Sequence, residues 1–331
     1  MARFVQKKYS FIIPTVGGRE NIFKIIEAIK ESSLENYEII VILQIIKKTQ
    51  KDISHHLEED KFISLETSTK FDSISLARNR GAEISKGKIL CFFDDDVSPT
   101  DGMFKLLGEI GDISSKILFP EIKNIEYVPF PLGDHVGGGK AFVSACFIIS
   151  REEYLRLGGM NKALSLFRDD SEFFIRAVKN GLRLDFVQDI YVWHPVRFTN
   201  HRSIKLMFRK QTLEPLFHKL VAGSYAGVLQ PKPYNFLANR YGCSVASYFF
   251  ISSIILITVL VFISPLILFV LLLVYLGLLT IPSTIYFRKP RVFLARKWSK
   301  LLIKISIYLI IFPVFISARI IGSIRYRHFT L

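Results

Sequence analysis

Cysteine is scarce: Cys91, Cys146 and Cys243 are the only three in 331 residues, and no two form a C-x-x-C pair. This argues against a disulfide framework and against a cysteine-ligated zinc, and it fits a reducing compartment. No G-x-G-x-x-G follows the first strand and no G-x-x-x-x-G-K-[ST] occurs. A dinucleotide-type reading is weakened and a P-loop reading removed. The opening Met1 to Lys8 leads into no apolar run long enough for a signal peptide, so the N-terminal part is expected to fold in the cytoplasm. Acidic residues are also in deficit, 29 against 44 Lys+Arg, which leaves a net charge of +15. With half of all residues hydrophobic, intrinsic disorder is ruled out.

A mean hydropathy of +0.31 is too apolar for an ordinary soluble enzyme, and the excess is local. From Tyr241 to Phe287 there is no Asp, Glu, Lys, Arg or His. As helix this run would reach ~70 Å against a hydrocarbon core of ~30 Å, which suits two crossings with a tight turn. Ser264-Pro265 is the natural break, because proline interrupts a helix. Six basic residues follow between Arg288 and Lys300, and the positive-inside rule puts that loop in the cytoplasm beside the N-terminal part. A third apolar stretch, Ile305 to Ala318, either spans or is re-entrant, with Pro313 breaking it. The organisation expected is a catalytic domain over 1–200, an amphipathic interfacial connection over 201–240, a transmembrane hairpin over 241–287, and a basic loop with a third apolar helix over 288–331. The protein is then a multi-pass protein of the cell membrane with its first domain in the cytoplasm.

Residues 1 to about 200 alternate between strand and helix patterns. Ser10 to Pro14, Glu38 to Leu43 and Lys88 to Phe93 read as buried strands, and Asn21 to Ser33 and Ile74 to Ser85 as helices. Such alternation implies a mostly parallel sheet covered on both faces, with ligands at the carboxyl ends of its strands.

The polar residues with chemistry to offer fall at those ends. Asp94-Asp95-Asp96 follows the third strand directly. Like charges so close are costly unless something positive is bound, and carboxylate oxygens are what Mg²⁺ or Mn²⁺ prefer. Arg168-Asp169-Asp170-Ser171-Glu172 opens a helix running through Val178. Its carboxylates suit N-terminal capping and also suit a general base. His194 closes a further apolar strand, Ile190 to Trp193, and is either structural or a ligand.

In order, S-F-I-I-P-T, E-I-I-V-I-L-Q, S-L-A-R-N-R-G, G-K-I-L-C-F-F-D-D-D-V-S-P, G-G-M-N, R-D-D-S-E-F and V-W-H resemble the family 2 glycosyltransferases over residues 8 to 200. The resemblance implies an α/β fold of GT-A type, a Rossmann-like and mostly parallel sheet, here followed by C-terminal transmembrane helices. It implies nucleotide-sugar contacts from Pro14, Thr15, Arg19, Gln44, Arg78, Asp94 and Asp95, with Arg78 approaching the base or diphosphate and Asp94 near the ribose. It also implies a Mg²⁺ or Mn²⁺ ion on Asp96 and His194, and Asp170 as catalytic base. Two departures matter. The family's Asp-Asp-Gly-Ser turn is replaced by Leu43-Gln44-Ile45-Ile46, where Gln44 is a neutral substitute. The Q-x-x-R-W of processive synthases is reduced to Gln211-Thr212-Leu213-Glu214-Pro215, so one sugar is expected per encounter.

The expectation is an inverting, metal-dependent transfer of a sugar to a lipid-linked saccharide or polyprenyl-phosphate acceptor in cell-envelope polysaccharide synthesis. An inactive nucleotide-sugar-binding membrane subunit and a nucleotidyltransferase are the alternatives. No nucleic-acid partner is expected, since the basic excess flanks the apolar segments and anionic lipid headgroups explain it. Between Asn200 and Leu220 basic and apolar residues alternate, as in a helix at the membrane interface or an ordinary surface helix.

Overall fold

The computed structural model describes residues 8–17, 20–44, 57, 63–68, 73–124, 133–134, 142–165, 167–195, 197–198, 208–221 and 317–328. Arg19, the hairpin 241–287, the basic loop 288–300 and the third apolar stretch up to residue 316 lie outside them. Among the described residues no helix is long and apolar enough to cross a membrane. The chain divides into two compact units, Met1–Thr199 and Asn200–Leu331.

The first unit is built on β1 (Tyr9–Thr15), α1 (Asn21–Glu31), β2 (Tyr37–Gln44), β3 (Ile63–Ser68), α2 (Ile74–Ile84), β4 (Ile89–Phe93), α3 (Asp101–Glu109), β5 (Lys116–Asn124), β6 (Gly133–Asp134), β7 (Cys146–Ser150), α4 (Arg151–Arg156), α5 (Asp169–Lys179), β8 (Arg183–His194) and β9 (Arg197–Phe198). Seven strands form one sheet in the order β3-β2-β1-β4-β7-β5-β8. All neighbours are parallel except β7, which runs antiparallel to both β4 and β5. The sheet is the mixed, mostly parallel α/β sheet of a GT-A fold.

Strand alternation assigns the two faces. Phe11, Ile13, Cys91 and Phe93 meet Ile22, Ile25 and Ile29 of α1 and Met103 and Leu107 of α3 in one core. On the other face an aromatic cluster joins Phe92 to Phe147, stacked at 4.5 Å, and Phe119 to Phe174, edge-on at 4.9 Å. Each such pair adds about 0.5–1.5 kcal/mol beyond its burial. α2 lies close over this face, and a methyl group at Gly81 would overlap the Ile12 side chain.

Two local features shape the site. The β1–β4 ladder runs only from Tyr9 to Ile12, so it ends before Pro14, whose missing N–H breaks no bond on that side. The chain leaves β1 toward β2 on one side and returns as β4 on the other, which makes this seam the crevice where α/β sheets bind ligands. The second feature is in β8. Two steps along β5, Phe119 to Glu121, face five along β8, Phe186 to Tyr191, so three extra residues bulge out, with Asp189 at a φ of 60°. Pro120 sits at that break.

In the second unit a helical turn at 208–211 leads into α6 (Glu214–Val221), which packs with a C-terminal helix at 317–326. Arg319 donates from Nε to Gln211 Oε1 at 2.8 Å and stands 3.9 Å from Glu214 Oε1. His218 Nε2 is 3.6 Å from Glu214 Oε2, and Lys219 Nζ donates to the Tyr326 carbonyl at 3.1 Å. Glu214 and Arg319 are both buried, and a buried charge is tolerable only when so paired.

Candidate active site

The acidic loop Asp94-Asp95-Asp96 begins where β4 ends and is braced from three directions. The Thr15 hydroxyl donates to Asp95 Oδ2 at 2.7 Å and accepts from the Gly17 N–H at 3.1 Å. Asn21, at the start of α1, donates to the Asp95 and Val97 carbonyls at 3.3 and 2.8 Å. From the far side, Ser98 and Trp193 exchange both backbone hydrogen bonds, at 2.9 and 3.0 Å, and Thr100 Oγ1 donates to the Tyr191 carbonyl. That bridge fastens the end of β8 to the acidic loop, and His194 Nε2 comes to 3.4 Å from Asp96 Oδ1.

Arg78 is differently placed from the expectation that it approaches a base or diphosphate itself. Its side chain is 1% exposed and forms an ion pair with Asp94. The same Nη2 donates to the Ser144 carbonyl at 3.1 Å, and Nη1 contacts Met160 Sδ at 3.9 Å. An arginine enclosed in this way acts on a ligand through Asp94. Its pKa is raised even though burial works against the charge, because Asp94 and Asp169 hold it. Burial pushes the Asp94 carboxyl up to about 6 while Arg78 pulls it back.

Asp170 lies in the first turn of α5, whose opening residue Arg168 has a φ of 65°. A left-handed non-glycine residue at that point turns the chain so that Asp169 and Asp170 both enter the helix from inside the fold. Asp170 Oδ1 accepts from the Ser171 N–H at 2.6 Å and Oδ2 from the Ser144 N–H at 3.4 Å. Burial, then the neighbouring Asp169, raises its pKa above the ordinary carboxylate value. Asp169 in turn accepts from the Ser75 hydroxyl. The peptide of Ser144 thus joins the two acidic groups, its carbonyl on Arg78 and its N–H on Asp170.

The structure therefore brings together Thr15, Arg78, Asp94, Asp95, Asp96, Asp170 and His194. Pro14 and Gln44 close β1 and β2 at the same edge, Gln44 one residue beyond Leu43, the partner of Thr15. Asn21, Ser75, Thr100 and Ser144 belong to this framework and were not singled out from sequence; Asn21 and Ser75 at helix starts carried the only signal. Cys91 and Cys146 are free and buried, and burial raises both thiols, so neither is a nucleophile.

As a metal site, Asp96 and His194 offer one oxygen and one nitrogen at close range. Among the described residues no cluster of three His, Cys, Asp or Glu side chains forms a closed cage. Two protein donors suit Mg²⁺ or Mn²⁺, which keep positions for phosphate and water.

Residues 10–156 match the family described as glycosyl transferase family 2. This span holds the β1 edge, Arg78 and the acidic loop, and it ends before Asp170 and His194. The chain is 22% identical over 277 residues to the amylovoran biosynthesis glycosyltransferase AmsB of Erwinia amylovora, covering 74% of this chain and 91% of that one. The mannosyltransferase PcManGT of Pyrobaculum calidifontis, solved with GDP-Man and Mn²⁺, shares the fold at a TM-score of 0.58 and 14% identity, over 98% of this chain and 88% of its own. With this likeness over its first half, the chain is a glycosyltransferase.

Proposed function

We propose that this glycosyltransferase takes a sugar from a nucleotide-sugar and transfers it, with inversion, to a lipid-linked saccharide or polyprenyl phosphate at a membrane surface, in polysaccharide synthesis. The observation that carries the reading is the meeting of Asp96 with His194 at 3.4 Å, in one continuous framework with the half-buried Asp170. AmsB and PcManGT, by their descriptions a biosynthetic glycosyltransferase and a mannosyltransferase holding GDP-Man and Mn²⁺, support the donor class and the divalent ion.

In this mechanism Pro14, Thr15 and Gln44 line the nucleotide end of the crevice, and Asp94, held by Arg78, receives the ribose. Asp95 is fixed by Thr15 and keeps the loop in place. Asp96 and His194 would hold the cation, which when bound offsets the charge of the diphosphate leaving group. Asp170 takes the proton of the attacking acceptor oxygen, a role its raised proton affinity favours. The new bond forms on the anomeric face opposite the departing nucleoside diphosphate, so the configuration inverts.

The charge-free run 241–287 and the basic residues around it support a membrane setting with the catalytic unit on the cytoplasmic side. An acceptor confined to the bilayer is met at raised local concentration and in restricted orientation. The test is turnover of a panel of nucleotide-sugars with and without Mn²⁺, in wild type and Asp96→Asn. Metal-stimulated release of nucleoside diphosphate that the substitution removes is expected. Equal turnover in both proteins would overturn the site. Removal of residues beyond 238 is expected to abolish transfer to lipid-linked acceptors and spare donor hydrolysis.

A further inference from the structure

The C-terminal helix is built inside out. At 3.6 residues per turn, Ala318, Arg319, Gly322 and Ser323 share one face, and Ile320, Ile321 and Ile324 share the opposite one. The first face is buried. It is small and polar, it carries the Arg319 contacts to Gln211 and Glu214, and a methyl group at Gly322 would overlap the Thr212 carbonyl. The isoleucine face points outward, 41%, 51% and 74% exposed, with Leu220 of α6 also exposed. Arg325 flanks it and Arg327 stands just past the helix end, both exposed. Three outward isoleucines beside exposed arginines are the reverse of a water-facing helix.

The geometry points to a monotopic lipid contact: the Ile320–Ile321–Ile324 face lies in an anionic bilayer surface, and the clamp beneath it holds residues 208–221 and 317–326 on one side of that bilayer. Isoleucines enter the boundary of headgroups and acyl chains, while Arg325 and Arg327 reach back to anionic headgroups. The charge complement selects lipid over a second copy of this chain, whose own surface at this patch is equally basic. The clamp adds a topological rule. The buried Glu214–Arg319 pair and the Lys219 bond to Tyr326 cannot form across a membrane, so 208–221 and 317–326 lie on one side of it.

This inference rests on the membrane setting proposed above, and its test separates the two. Full-length protein carrying Cys243→Ser and Ile324→Cys, with Cys91 and Cys146 buried, is labelled with an environment-sensitive dye. It is then reconstituted into phosphatidylcholine vesicles with or without phosphatidylglycerol. A blue shift that is larger in the anionic vesicles, and quenching stronger by headgroup-level than by deep nitroxide lipids, are expected. Arg325→Glu with Arg327→Glu should remove the anionic preference and leave donor hydrolysis unchanged. A water-like emission in both vesicle types overturns the lipid contact, as does rapid disulfide-linked dimerisation of the unlabelled protein. Arg209→Cys and Ile324→Cys should react with an impermeant maleimide from the same side, and reaction from opposite sides overturns the shared side. Sugar transfer to polyprenyl phosphate is followed in the same vesicles; its absence with residue 324 seated in lipid would defeat the acceptor reading alone.

Discussion

The two acidic groups of the catalytic unit handle crowded negative charge in opposite ways. At 94–96 each carboxylate is handed to a different neighbour: Asp94 to Arg78, Asp95 to Thr15, Asp96 to His194. At 169–170 the two carboxylates are consecutive in the first turn of one helix, receiving a hydroxyl and backbone N–H donors, and burial together with the neighbouring charge makes Asp170 hold its proton more tightly. A spread group suits binding positive charge and a diphosphate, whereas a crowded, half-buried pair suits taking a proton. The same residue type at both ends of the crevice therefore performs two functions, set by its neighbours.

Substitutions that exchange these characters test the contrast. The largest effect belongs to Asp96→Asn, expected to lower turnover on the order of 10³-fold, several kcal/mol of transition-state stabilisation, and to abolish Mn²⁺ stimulation. Turnover assays across a Mn²⁺ titration check it, and retained stimulation would place the metal elsewhere. Next, Asp170→Asn should cost transfer roughly 10²-fold or more and yet raise the melting temperature near neutral pH. The sign follows from linkage. A folded-state pKa above the unfolded one means that stability is lost as pH rises from the ordinary carboxylate value through the raised one, and asparagine removes that loss. A melting temperature that falls in thermal denaturation would show the charge to be fully compensated.

Smaller still, Asp169→Asn should move the acid limb of the kcat/KM profile to lower pH, because the like charge that lifts Asp170 is gone. A limb that stays in place would leave burial as the sole cause. The mildest is Thr15→Val, which removes one hydrogen bond to Asp95. It is expected to weaken donor binding roughly tenfold, about 1.5 kcal/mol, with a titration of nucleoside diphosphate as the readout. An unchanged affinity would make Asn21 and the Ser98–Trp193 bridge sufficient to hold the loop.

Much of this contrast was legible in the sequence because its carriers are local. Asp94-Asp95-Asp96 after an apolar run and Asp169-Asp170 at a helix start are patterns of a few residues, and Glu38 to Leu43 reads as a strand unaided. The enclosure of Arg78 was not legible for a physical reason: arginine is ordinarily a surface residue, and nothing nearby in sequence shows that Asp94 is its partner in the fold. Asp96 and His194 are brought together by the Ser98–Trp193 bridge, a contact between distant segments with no local signature. The antiparallel entry of β7 was equally hidden, since alternating strand and helix patterns carry no direction. β5 was not among the strands expected, and Pro120 in its middle removes a ladder donor and obscures it.

The bulge of β8 makes His194 a matter of odd and even. Beyond Asp189 the strand alternates strictly, with Val192 and His194 buried on one face and Trp193 on the other. The three surplus residues before Tyr191 form slack that already departs from the ladder, so a change of length there leaves the later alternation untouched. Removing a single residue between Tyr191 and Trp193 has no such buffer: every later side chain changes face. His194 would then turn outward, and Pro195 would stand where an imidazole faces Asp96. The spare length of the strand and its final four residues are thus under opposite constraints, one free to drift in count and the other fixed to the residue.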